Sequence, residues 1–187
     1  MFAVHVLLLF SLAHLSHSAL QTCGDLLRPL NQLHPRSLEG DWALVAGTLS
    51  QLSLMEPFSQ RESATASFSN NTDSSTITLK RSMRSKNNCY YQSYNISLEG
   101  SSFTFDDGRV NATFVHASCP DCILISFNVE SGKRIHFYLF SRRRQLEERE
   151  MEEFRRQVGC LKMPPPVVMD PANELCPEEG TSEAAVE

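Results

Sequence analysis

Histidine and tryptophan are the scarce residues of this chain. Of its six histidines only His34, His116 and His136 lie beyond the first 18 residues, and none stands in a catalytic or metal-ligand motif. No G-x-S-x-G, H-E-x-x-H or phosphate-binding glycine loop is present, so the common hydrolytic, zinc-dependent and nucleotide-dependent chemistries have no basis in the sequence. The carboxylate pair Asp106-Asp107 precedes Gly108 and is better explained by a hairpin turn than by acid–base chemistry. We read the chain as a non-enzyme without cofactor or metal. Positive charge is also in deficit: the formal net charge is −5, which argues against a nucleic-acid binder. Beyond the N-terminal leader no run is long and apolar enough to cross a bilayer.

What is present points to the secretory route. Residues 1–18, MFAVHVLLLFSLAHLSHS, have an apolar centre at Val4–Leu12 and small residues, Ser16 and Ser18, at the minus-three and minus-one positions of a cleavage site. We read them as a signal peptide, although they contain no Lys or Arg. Six cysteines follow, at 23, 89, 119, 122, 160 and 176, and an even count in a secreted chain favours disulfides. Three glycosylation sequons, at Asn70, Asn95 and Asn111, fit the same extracellular compartment. Residues 19–176 suit one domain with its own core, and the acidic, small-residue segment 177–187 reads as a disordered tail.

Between Trp42 and Phe140, polar clusters recur about every 8–12 residues and bracket runs rich in Val, Ile, Thr, Tyr and Phe. The alternation predicts eight strands, over 41–52, 61–69, 75–84, 88–99, 101–106, 109–117, 122–130 and 133–141. Tight turns at Glu99-Gly100-Ser101, Asp106-Asp107-Gly108 and Glu130-Ser131-Gly132-Lys133 make consecutive strands antiparallel. An all-β meander of that length closes most economically as an eight-stranded up-and-down barrel, which removes both sheet edges and is wide enough for one small ligand. Arg142–Gly159 then carries Leu146, Met151, Phe154 and Val158 on one stripe among charges, and predicts one amphipathic helix outside the barrel, ended by Pro164-Pro165-Pro166.

The lone tryptophan gives this architecture a family. Gly40-Asp41-Trp42 at the head of the first strand is similar to the Gly-X-Trp signature of lipocalins. GDWALVAG, ITLKRSMRSKNNCYY, SCPDCILISFNVESGKRIHFYLFSRRR and MEEFRRQVGCLKMP together resemble the lipocalin branch that holds α1-acid glycoprotein and apolipoprotein M, over about Cys23 to Cys176. The resemblance implies that Gly40 and Trp42 close one end of the barrel, with Arg142 or its neighbours Arg143 and Arg144 packed across the indole. It implies the disulfides Cys23–Cys160 and Cys89–Cys176. The resemblance to apolipoprotein M implies a pairing of Cys119 with a cysteine in the helix, but Glu150 stands at that helix position in this chain. Pro120-Asp121 suits a type I turn, whose width permits a local Cys119–Cys122 bridge. A redox role for this C-x-x-C is disfavoured because a strand, not a helix, follows it, and a structural zinc site is disfavoured because no second C-x-x-C exists.

Alternation places Trp42 and Leu44, Phe103 and Phe105, Ile125 and Phe127, and Tyr138 and Phe140 on shared faces with His136, without separating core from cavity. The resemblance implies ligand contact at Leu44, Leu49, Met83, Ile125, Phe127, Tyr138 and Phe140, with Arg81 an inward polar position. It places Gln92 and Tyr94 where apolipoprotein M sets a basic and an aromatic group against a sphingolipid phosphate. The candidate binding set is therefore Leu44, Leu49, Arg81, Met83, Tyr94, Phe103, Phe105, Ile125, Phe127, Tyr138 and Phe140. The function implied is that of a secreted, monomeric carrier of small lipophilic or amphipathic ligands such as fatty acids, sphingolipids or drug-like compounds. The alternatives are an acute-phase or immunomodulatory plasma glycoprotein acting through its surface and glycans, and a lipid carrier that rides on lipoprotein particles.

Overall fold

The computed structural model describes residues 21–71 and 76–180. The segment expected to be a signal peptide, the third residue of the Asn70 sequon and most of the segment expected to be a disordered tail lie outside the described residues. The elements run α1 (Cys23–Leu26), α2 (Pro35–Leu38), β1 (Gly40–Leu49), a 3-10 turn (Leu52–Leu54), α3 (Met55–Ser59), β2 (Arg61–Asn70), β3 (Ile77–Ser85), β4 (Asn88–Ile96), β5 (Ser102–Phe105), β6 (Val110–Val115), β7 (Cys122–Val129), β8 (Arg134–Ser141), α4 (Glu148–Cys160) and β9 (Val167–Val168). Strands β1 to β8 form a nearly closed antiparallel barrel in the order β4-β3-β2-β1-β8-β7-β6-β5.

The turns follow from backbone chemistry. Asp106, Asp107 and Gly108, and likewise Glu130, Ser131 and Gly132, all have positive φ, which Gly, Asn and Asp accept at least cost. Strands β7 and β8 are buried on both faces, and the alternation divides their side chains between two cores. Ile123, Ile125, Phe127, Tyr138 and Phe140 point into the barrel, while Leu124, Phe137 and Leu139 point outward under α4. Leu146, Met151, Phe154 and Val158 of the helical segment complete that outer layer, with Phe154 stacked on Phe137 at 5.6 Å.

Helix α4 begins six residues later than the charge pattern predicts, because the three arginines before it are engaged elsewhere. Arg142 folds back over Trp42, Arg144 donates to the Asn173 carbonyl at 2.7 Å, and Arg143 bridges Asp121 and Glu150 at 2.8 and 2.9 Å. The Glu147 N–H donates to Glu150 Oε2 at 2.8 Å and starts the helix there. Asp121 lies within the Cys119–Cys122 turn, so the Arg143 bridge ties that turn to the helix at Glu150. An ion-pair network thus joins the Cys119–Cys122 turn to α4.

Three disulfides are formed and no described cysteine is free: Cys23–Cys160, Cys89–Cys176 and Cys119–Cys122. The first joins α1 to the end of α4, where buried Gln157 also donates to the Leu26 and His116 carbonyls at 2.8 and 2.9 Å. Sulfur and carboxylate converge at Cys119, Asp121 and Cys122, but both sulfurs are in the disulfide and Asp121 faces Arg143, so this cluster holds no metal.

The barrel wall is interrupted twice. Strand β1 pairs with β2 only from Gly40 to Ala43. Above that point the segment after α4 enters the wall as β9, pairing Val168 and Val167 with Ala46 and Gly47, and the Met169 N–H donates to the Val45 carbonyl at 2.8 Å. The second interruption lies between β4 and β5. Strand β4 forms a ladder with β3 alone, and β5 with β6 alone; one bridge, Glu99 with Ser102, joins their connecting turn.

Candidate functional site

At the closed end the Trp42 indole N–H donates to the Leu38 carbonyl at 2.8 Å. The Arg142 guanidinium carbon sits 4.0 Å from the ring centroid, and its Nη2 donates to the Glu39 carbonyl at 2.6 Å. Gly40 has φ of +95°, and a Cβ there would lie 3.0 Å from Arg142, so glycine is needed for both backbone and space. Above this plug the lower barrel is solid. Phe68, Leu79, Phe103 and Phe114 are each at most 2 % exposed, and Phe103 packs 5.7 Å from Phe114.

A cavity of about 440 Å³ opens above that core, within the usual range for small-ligand sites. Among its lining residues are Leu44, Arg81, Met83, Tyr138 and Phe140. A smaller chamber of about 230 Å³ lies beside it, lined in part by Leu49, Phe58, Met83 and His136, and Arg61 faces both. The remaining expected contacts stand elsewhere. Tyr94, Phe103, Phe105, Ile125 and Phe127 line neither chamber and belong to the packed interior. Tyr94 and Phe105 meet at 4.7 Å and Phe105 and Phe127 at 6.3 Å.

Several lining residues were not anticipated. Arg61 escapes alternation because the β2 register shifts between Arg61 and Ser63. Phe58 comes from α3, a short helix with no apolar period to betray it. It is 1 % exposed and stacks on Tyr138 at 5.4 Å, with the Arg61 guanidinium 4.8 Å from its ring. Gly47 makes room for that stack: a Cβ there would come within 2.7 Å of Phe58 and 2.6 Å of Tyr138. Tyr90 shares the inward face of β4 with Gln92 and Tyr94 and could have been found from that alternation.

The electrostatics of the cavity are one-sided. No Asp or Glu lines either chamber. The Arg81 guanidinium lies 5.8 Å from the Phe127 ring centroid, inside an aromatic enclosure. Burial lowers its pKa and nearby Arg61 lowers it further, while Tyr138 and Tyr94 oppose them. Burial also raises the Tyr138 phenol. His136 is pushed down to about 4, first by burial and then by Arg134, Arg61 and Arg81. Its Nε2 is buried without a partner among the described residues, and its Nδ1 lies 3.3 Å from the Tyr138 hydroxyl.

The His136 shift has a stability consequence of definite sign. The unfolded chain takes up this proton near pH 6.5 and the folded chain only near pH 4, so the unfolded state binds more protons between those values. Stability therefore falls as pH is lowered through that window and levels off below it. His136→Gln is expected to flatten this dependence in urea unfolding at pH 7, 5.5 and 4; an unchanged slope would show that other groups set it.

The whole arrangement matches known proteins at two levels. The chain matches the ApoM domain family over residues 2–178. Among solved structures it is similar to the siderocalin Ex-FABP, a protein described as functioning through dual ligand specificities, with a TM-score of 0.61 and 15 % identity over 71 % of this chain and 93 % of that one. At that identity the likeness speaks to the lipocalin fold. No individual curated protein matches the chain by sequence.

Proposed function

This chain belongs to the ApoM domain family, and from that premise we propose that it is a secreted, monomeric carrier of small amphiphiles whose head group is anionic, held in the barrel by residues 19–176 acting as one domain. The observation that carries this reading is the pairing of an aromatic cavity, open to solvent on one side, with two arginines, Arg61 and Arg81, and no acidic side chain among the described residues that line it. A half-buried cation without a counter-charge is partly desolvated in the empty protein, and an anionic ligand supplies the missing partner. Long-chain fatty acids and phosphate-headed lipids meet that description, and drug-like acids fit the same chemistry.

The binding set under this reading is Leu44, Leu49, Arg61, Arg81, Met83, Tyr138 and Phe140. The resemblance implies a cation at the place of Gln92. Here Arg81 stands directly across the β3–β4 ladder from Gln92, which restores positive charge from the neighbouring strand. Extracellular residence is supported by the three disulfides. It is also supported by the exposure of Asn95 and Asn111 on the barrel exterior, where a glycan can be carried. Asn70 donates to Glu39 Oε1 at 2.5 Å, a contact its glycosylation would alter.

Displacement of a fluorescent fatty acid from the purified protein tests the proposal. Hexadecanoic acid is expected to compete saturably at micromolar concentration, and its methyl ester markedly less well. Absence of saturable binding by either compound would end the carrier reading.

A further inference from the structure

We propose that the amphiphile binds head first, its anionic group on Arg81 and its chain rising past Met83 and Tyr90 to leave through the gap between β4 and the β5–β6 turn. This rests on the carrier reading above and adds the ligand's direction and its route.

The first argument is space. Of the inward positions of β3, the cavity is lined by Arg81 and Met83 but not by Leu79, one step deeper. Below Arg81 the interior is filled by Leu79, Phe68, Phe103 and Phe114, each at most 2 % exposed and packed in one core cluster. A ligand whose head reaches Arg81 therefore has its chain on the outer side of that contact.

The second argument is the stopper. Phe58 sits in the mouth beside β1 and β8, clamped between the Tyr138 ring and the Arg61 guanidinium and seated against Gly47. A chain leaving over α3 would have to displace a buried aromatic stack.

The third argument is the wall. Of the two interruptions, the one between β1 and β2 is sealed by β9, with Met169 buried in the interior core. The one between β4 and β5 carries no ladder. Tyr90 lines the cavity, yet it is 54 % exposed, and Gln92 one step below it is also exposed. Inward-facing residues open to solvent mark a gap in the side wall. An aromatic ring on that gap offers an apolar surface with a wet edge, which suits a chain passing from cavity to water.

Two brominated acids read the direction. Tyr90→Trp places a reporter in the gap at an exposed position that should tolerate it, and the Trp42 signal of the unsubstituted protein is subtracted. We expect 16-bromohexadecanoic acid to quench the new tryptophan at saturation and 2-bromohexadecanoic acid to leave it at least threefold less quenched. The reverse pattern, or equal quenching by both, overturns the head-first arrangement while leaving the carrier intact. If neither acid displaces the fluorescent fatty acid, the carrier reading fails, and this proposal fails with it.

Discussion

Replacing Arg81 with leucine is expected to weaken hexadecanoic acid binding about 10- to 100-fold, to leave a neutral ester of the same chain within a few-fold, and to stabilise the empty protein. The three outcomes share one cause. A hydrogen bond to a charged group contributes about 1.5–3 kcal/mol, which is roughly that factor in affinity. The ester makes no such bond and loses nothing. In the empty barrel the guanidinium stands among Phe127, Tyr138 and Tyr94 with no acid facing it, so leucine relieves desolvation without orphaning a partner. Arg81→Lys should retain charge but lose the planar fork, and fall between the two. Titrations with both ligands and urea unfolding of the unliganded variants check all three. Equal losses for acid and ester would make Arg81 a packing residue, and unchanged affinity for both would remove it from the site.

Removing the Cys23–Cys160 bridge by paired serine substitutions is expected to be the most destabilising disulfide change. That bridge closes a separation of 137 residues, against 87 for Cys89–Cys176 and 3 for Cys119–Cys122. Loop-closure entropy then assigns about 5 kcal/mol to the first and only about 2 kcal/mol to the last. A domain of this size has roughly 5–15 kcal/mol in total, so the first pair decides whether the protein folds well. The short bridge also has a substitute in the Asp121–Arg143–Glu150 network, which holds the same turn against α4. Denaturant midpoints of the three double-serine proteins give the order, and an equal cost for the shortest and longest bridges would refute a loop-length origin.

The barrel was legible in the sequence because a strand in its wall alternates with period two. In β7 and β8 that alternation sorts Ile123, Ile125, Phe127, Tyr138 and Phe140 to the interior and Leu124, Phe137 and Leu139 to the helix-facing layer. The same rule was silent on depth. Phe103, Phe127 and Tyr138 all face inward, yet only Tyr138 reaches open space, because facing is a property of one strand and filling a property of eight. Arg61 was illegible for a different reason: the β2 bulge reverses its facing, and a bulge is set by the partner strand. Strand β9 was illegible because two valines after three prolines carry no period at all.

That two-residue strand also sets the timetable of assembly. The upper half of β1 obtains its second neighbour from Val167 and Val168, some of the last described residues to leave the ribosome. Until they emerge, β1 and β2 meet only from Gly40 to Ala43, and one side of the cup stays unzipped. The Cys89–Cys176 disulfide then fastens the arriving segment to β4 on the outer wall. A chain halted before residue 167 is therefore expected to leave that side of the barrel unsealed, because neither the β9 pairing nor the Cys89–Cys176 bond can form.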